Sequence, residues 1–168
     1  MQNFSRILRH LGTTRAAARK AFPAVTLSAI QAAIGDGEEQ HRAQLRLIIE
    51  PALDWSDLVN RTTSRGRAHA LFSRYRIWDT EENCGVLVYI NLAERSVEII
   101  ADRSVGRAVH RTQWEAVCKT MTQGFAQGRF HDSALAGVMH LNGLLATHFP
   151  AGDGSGRGNE LSDRPVIL

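Results

Sequence analysis

The chain has 168 residues, 43% hydrophobic and 22% charged, with 20 Lys and Arg against 17 Asp and Glu. That length suits one domain, able to bury about 70% of its unfolded surface without disulfides or a structural metal. The composition excludes disordered, collagen-like and coiled-coil classes, and no run of about 18 apolar residues exists to span a bilayer as a helix.

The net charge of +3 is unevenly placed. Residues 1–22 carry Arg6, Arg9, Arg15, Arg19 and Lys20 and no acid, leaving fifteen basic against seventeen acidic groups elsewhere. Such a basic helical arm can face water, or meet an anionic membrane through residues 4–20. Nucleic-acid binding is not expected, because the body is net acidic and shows no recognition motif. Cys84 and Cys118 form no CxxC pair, and each sits in an apolar pattern as a small hydrophobe. The basic N-terminus lacks the apolar core and cleavage site of an export signal, so a cytoplasmic location is expected, with the membrane periphery open through the arm.

In chain order, Phe4, Ile7, Leu8 and Leu11 recur at helical spacing. Gly12 interrupts, and the Ala16-Ala17-Ala18 run resumes helix-prone sequence up to Pro23. A second helix is predicted from Thr26 or Ser28 through Ile34, with Gly35-Asp36-Gly37 ending it. Leu45, Leu47 and Ile49 alternate with Arg46, Ile48 and Glu50 as a first strand closed by Pro51. Residues 56–76 carry Leu58, Val59, Ala68, Leu71, Phe72 and Tyr75 at i+3/i+4 spacing, which predicts one helix. Cys84 to Leu92 is a continuous apolar run, expected of a strand covered on both faces. A short link leads to Val97–Ala101, which should pair with it as a hairpin.

A polar loop with a helical turn near Val105–Val109 follows. Thr112 is expected to cap a helix with Trp114, Val117, Cys118, Met121 and Phe125 on one stripe, stopped by Gly128. Residues 132–149 form another, with Leu135, Val138, Met139, Leu141, Leu144 and Leu145 inward. The Gly-rich stretch 152–158 lacks the Lys-Ser/Thr of a phosphate loop and reads as a linker. Val166-Ile167-Leu168 then folds back as an edge strand or docks on an apolar groove. The expected division is a basic arm (1–22), an α/β domain (23–150) and a Gly-rich tail with an apolar docking segment (151–168).

Two strands joined through a helix form a parallel, right-handed βαβ unit. The hairpin strand returns antiparallel, giving a βαββ core, and helices cover both faces. This order gathers the starts of the first two strands and the finish of the third at one end of the sheet. Glu38, Glu39 and His41 precede the first strand, Asp79, Glu81, Glu82 and Asn83 precede the second, and Asp102 follows the third. Carboxylates and an amide around one crevice suit a hard divalent cation, calcium or magnesium. A carboxylate pair can instead work as general acid and base, and polar loops at a sheet end can simply face water. Arg103 has forked donors suited to phosphate or to a salt bridge with Asp102 or Glu81.

Several blocks carry a resemblance: Trp78-Asp79-Thr80-Glu81, Asn83-x-Gly85-Val86-Leu87, Val97-Glu98-Ile99-Ile100-Ala101-Asp102-Arg103, Trp114, His148-Phe149-Pro150, and the closing Asn159 to Leu168. The sequence resembles the TPM-domain family, also called the TPM phosphatase family, in its short bacterial branch without signal peptide or membrane anchor. The resemblance implies a three-layer α/β/α sandwich around a small mixed sheet, with a cleft at one sheet end where some relatives bind calcium. It implies a cation site of Asp79, Glu81, Asn83 and Asp102. Plant relatives show acid phosphatase activity, for which Asp102, Asp79 and Arg103 would be the catalytic set here. Where similar members carry Gly-Glu before the first strand, this chain has Ala43-Gln44, one carboxylate fewer. The family also serves membrane assemblies, in bacteria often beside LemA-type membrane proteins. The leading expectation is a cation-binding interaction module supporting such assemblies; a metal-dependent or acid phosphatase acting on phosphomonoesters is the alternative.

Overall fold

The computed structural model describes residues 2–152 and 159–168. Three helices lead: α1 (Gln2–Gly12), α2 (Arg15–Ala21) and α3 (Ala24–Glu38). Strand β1 (Gln44–Glu50) follows, then α4 (Trp55–Val59), α5 (Ser64–Arg74), β2 (Gly85–Asn91) and β3 (Ser96–Ala101). Helices α6 (Arg103–Ala108), α7 (Arg111–Ala126) and α8 (Phe130–His148) precede β4 (Val166–Ile167).

The sheet order is β3-β2-β1-β4. β1 runs parallel to β2 from Gln44 opposite Gly85 to Glu50 opposite Asn91, and β3 returns antiparallel from Asn91 opposite Ser96 to Val86 opposite Ala101. Val166 and Ile167 pair in parallel with Ile48 and Ile49, so the closing segment is an edge strand. Each strand sends alternate residues to opposite faces. Leu45, Leu47 and Ile49 of β1 join Val86, Val88 and Ile90 of β2 against α3, α7 and α8. Ile48, Leu87, Tyr89 and Ile100 face the other way, onto Ala68, Leu71 and Phe72 of α5 and onto Leu161 and Leu168 of the tail. Every residue of β2 is buried, as a strand covered on both sides requires. The result is an α/β/α sandwich around a mixed sheet.

Four local expectations are corrected. The helix predicted over 56–76 is two, because Asn60–Thr63 form a turn with Arg61 at φ 56° and the Thr63 hydroxyl caps α5 by accepting from Gly66 N–H. Helix α3 passes through Gly35 and Gly37 to Glu38: a Cβ at Gly37 would lie 2.2 Å from the Asn142 side chain, so α8 packs directly on α3 there. His110, not Thr112, caps α7, in a reciprocal box with Gln113. Met139 faces outward.

Helix α1 is fastened to the body. Arg6 and His10 both reach Glu94, His10 at 2.9 Å, and the His10 Nδ1 accepts from Leu53 N–H at 3.0 Å. Burial opposes ionisation of Glu94, but the hydrogen bonds from Arg6 and His10 outweigh it and hold the carboxyl below its usual range. Arg15 donates to the carbonyl of Leu168 at 2.8 Å. Three of the five basic residues of the arm, Arg6, Arg9 and Arg15, thus have partners within the chain. No helix among the described residues is long and apolar enough to cross a membrane. The part of the Gly-rich linker at 153–158 lies outside the described residues.

Inside the sandwich, Glu50 accepts two-pronged hydrogen bonds from Arg67 (2.6 and 3.0 Å) and one from the Tyr89 hydroxyl (2.6 Å). Removing one partner of a buried ion pair strands the other charge, at about 3–5 kcal/mol. Arg67→Met is therefore expected to lose about 3 kcal/mol in urea denaturation, and adding Glu50→Gln should recover part of it. Equal stability of Arg67→Met and wild type would show that Glu50 is solvated in the fold.

Candidate functional site

The parallel register of β1 and β2 puts Gln44 and Gly85 side by side, and the β2–β3 hairpin brings Ala101 back beside Val86. The three polar connections therefore meet at the amino ends of β1 and β2. Main-chain bonds stitch them: Gln44 N–H donates to Cys84 O (3.1 Å), Asp102 N–H to Gly85 O (2.9 Å) and Ser104 N–H to Asn83 O (3.3 Å). Gly85 is required at this junction, since a Cβ would sit 1.8 Å from the carbonyl oxygen of Ile77.

Asp102 caps α6, its Oδ1 accepting from Arg103 N–H at 2.7 Å. The residue is only 9% exposed, and its Oδ2 is buried without a hydrogen-bond partner among the described residues. Asn83 adjoins it through the Ser104 contact and holds a left-handed backbone, φ 53°. Asp79 and Glu81 lie on the same link with exposed side chains, and Glu81 N–H donates to the Glu160 carboxylate at 2.8 Å. Glu82 pairs with Arg42 at 2.8 Å. Arg103 is exposed and, among the described residues, pairs with neither Asp102 nor Glu81. The structure thus brings the backbones of Asn83 and the Asp102 turn together, while Asp79, Glu81 and Arg103 are exposed. Among the described residues, no three His, Cys, Asp or Glu side chains cluster closely enough to hold a metal by themselves.

The other polar groups of the rim are engaged in structure. The buried His41 ring lies 3.1 Å from Ala43 O and 3.2 Å from the Asn142 side-chain oxygen. Burial pushes its basicity down, against both hydrogen bonds. The Cys84 thiol donates to Arg42 O, and burial raises it above the ordinary thiol range. The Ser104 hydroxyl donates to Glu82 O at 2.9 Å.

The closing segment also lands on this rim, which element order alone does not reveal. The Gln44 side-chain oxygen accepts from Glu160 N–H (2.8 Å) and Leu161 N–H (3.1 Å). Asp163, held by Asn159, sits against Glu38, whose Oε1 accepts from Leu45 N–H at 2.7 Å. Burial is the main cause that lifts the Glu38 carboxyl to about 7; Asp163 adds to it and the Leu45 N–H opposes it. The pair lines a cavity of about 500 Å³ with Gln31, Asp36 and Gln44. Helical spacing gave no sign of this carboxylate pair; the closing Asn159–Asp163 block was the one signal that could have found it.

Because Glu38 is protonated at higher pH folded than unfolded, its contribution to stability is complete below about pH 4.5 and is lost as pH rises through about 7. The melting temperature of wild type relative to Glu38→Gln should therefore fall between pH 5 and 8. A difference independent of pH would show that Glu38 ionises normally.

The TPM domain family model matches residues 18–144, more than half of the chain. Among solved structures, the fold is similar to the NMR structure of the BA42 protein from the psychrophilic bacterium Bizionia argentinensis. The TM-score is 0.76 at 22% identity, over 88% of this chain and 95% of that one. None of the curated proteins matches the sequence.

Proposed function

The chain belongs to the TPM domain family, and within that family we propose that it is a divalent-cation-binding module, taking calcium at the rim where β1 and β2 begin. The observation that carries this reading is the Asp102 Oδ2, a buried carboxylate oxygen without a hydrogen-bond partner among the described residues. Such an atom is costly unless water or a cation satisfies it. Asp102 and Asn83 would supply the nearest side-chain oxygens, with the exposed Asp79 and Glu81 adding carboxylates and water completing the shell. Calcium accepts irregular sets of six to eight oxygens, whereas magnesium demands near-ideal octahedral geometry, so oxygens drawn without regular geometry from separate loops suit calcium better. In the family setting, a module of this kind would serve assembly or maintenance of membrane protein complexes.

The chemistry of the rim favours binding over phosphomonoester hydrolysis. Its thiol and the Ser104 hydroxyl are committed to carbonyl oxygens, the former to Arg42 and the latter to Glu82, and the buried Thr80 hydroxyl accepts from Cys84 N–H. An activated nucleophile needs a neighbouring base or a lowered pKa, and burial moves Cys84 the other way.

Asp102→Asn separates a cation site from a helix cap, because asparagine caps helices about as well as aspartate. Without added metal its melting temperature should stay close to that of wild type. Calcium at about 100 times its dissociation constant should stabilise wild type by about 2.7 kcal/mol, and the variant should lose that gain. Absence of a calcium shift in wild type, or an equal shift in the variant, would refute the site. Release of nitrophenol from nitrophenyl phosphate by wild type but not by Asp102→Asn or Asp79→Ala would favour the phosphatase reading instead.

A further inference from the structure

The opposite pole of the sheet, at the carboxyl end of β2, carries a second feature. A cavity of about 720 Å³ opens there between α2, the β2–β3 turn and α7. That volume lies in the range of small-molecule sites, and the carboxyl ends of strands in open α/β sheets are where ligands gather. Its origin is legible in the residues. Ala17 and Ala21 of α2 stand one helical turn apart and face Ala126 of α7, so neither helix fills the space between them. Ile90 and two aromatic rings form its apolar wall: Phe125 and Phe130 stack at 5.2 Å, and both brace the buried Phe22.

Two cations stand on the same cavity. Lys20 shares the inward face of α2 with Ala17 and Ala21, and Arg95 projects from the hairpin turn with φ 53°, a conformation that costs a side-chain-bearing residue. Among the described residues, neither side chain has an ion pair or hydrogen bond and no acidic residue lines the cavity. The nearby Glu94 is already taken by Arg6 and His10. An apolar wall with two uncompensated cations matches a molecule with an apolar body and an anionic head.

We propose that this cavity binds a small amphiphilic carboxylic acid, its hydrocarbon body on Phe125 and Phe130 and its carboxylate between Lys20 and Arg95. The site is independent of the cation rim, which lies at the other end of the same strands. Lys20 and Arg95 are exposed, so replacing them leaves the core untouched.

Decanoate, added below its micelle concentration to the full chain, is the probe, read by amide shifts in nuclear magnetic resonance. Saturable shifts are expected at Ala17, Arg95, Ala126 and Gly128, with the rim around Asn83 and Asp102 unmoved. Decanol should bind at least tenfold more weakly. Lys20→Met and Arg95→Asn should each weaken decanoate several-fold, and together they should bring it to the level of decanol. Asparagine is chosen because it tolerates a left-handed backbone. Arg19→Gln, also on α2 but outside the cavity, should bind as wild type does. Shifts that never saturate, decanol binding as tightly as decanoate, or full affinity in the Lys20→Met, Arg95→Asn double variant would each overturn the proposal.

Discussion

The parallel pairing of β1 with β2 over seven residues is the constraint on which the rest depends. Parallel neighbours cannot be joined by a tight turn, so α4 and α5 must carry the chain across one face. The direction of both strands then assigns each connecting loop to one pole or the other. Polar links collect where the strands begin, and the hairpin turn with Arg95 lies where β2 ends. The two poles have different chemistry because different loops were delivered to them, not because either loop is unusual by itself.

The same pairing needs a polar element inside it. Glu50 ends β1 within reach of Tyr89 on β2 and Arg67 on α5, and Asn91 donates to the Tyr89 hydroxyl. Burial, then the adjoining Glu50, push the Tyr89 hydroxyl well above its ordinary range, so it remains a proton donor. The Glu50 contact strengthens the hold on the Arg67 proton, against burial. Asn91 also receives Glu94 N–H, and Glu94 in turn holds α1. A chain of polar contacts therefore leads from α5 through the sheet to the first helix, on the strand end that borders the cavity.

Much of this was legible in the residues. The unbroken apolar run of β2 announced a strand covered on two sides, and the alternation in β1 announced a strand ending before Pro51. The turn at Asn60–Thr63 was hidden because Leu58 and Leu71 lie on either side of it with apolar spacing that a single helix would also satisfy. Gly35 and Gly37 read as a helix stop, yet α3 continues because contact with Asn142 needs a residue without a side chain. Convergence of Asn83 and Asp102 followed from chain direction alone. What no spacing rule could supply was the arrival of the tail: Asp163 against Glu38, and Gln44 accepting two of its amides. Those contacts join positions at opposite ends of the sequence, where local periodicity carries no information.

The closing segment has one more physical effect. An outer strand offers unpaired amides on which another molecule can grow a sheet. Here β4 covers Ile48 and Ile49 of β1, while Arg46 reaches the carbonyls of Ser162 and Arg164, and Pro165 just before β4 has no N–H with which to extend the ladder. This two-residue, proline-bounded seam closes the margin without creating a new one long enough to serve as a template. Peeling it away would uncover the part of the core on which Leu161 and Leu168 rest and leave β1 as an open margin on which another molecule could grow a sheet.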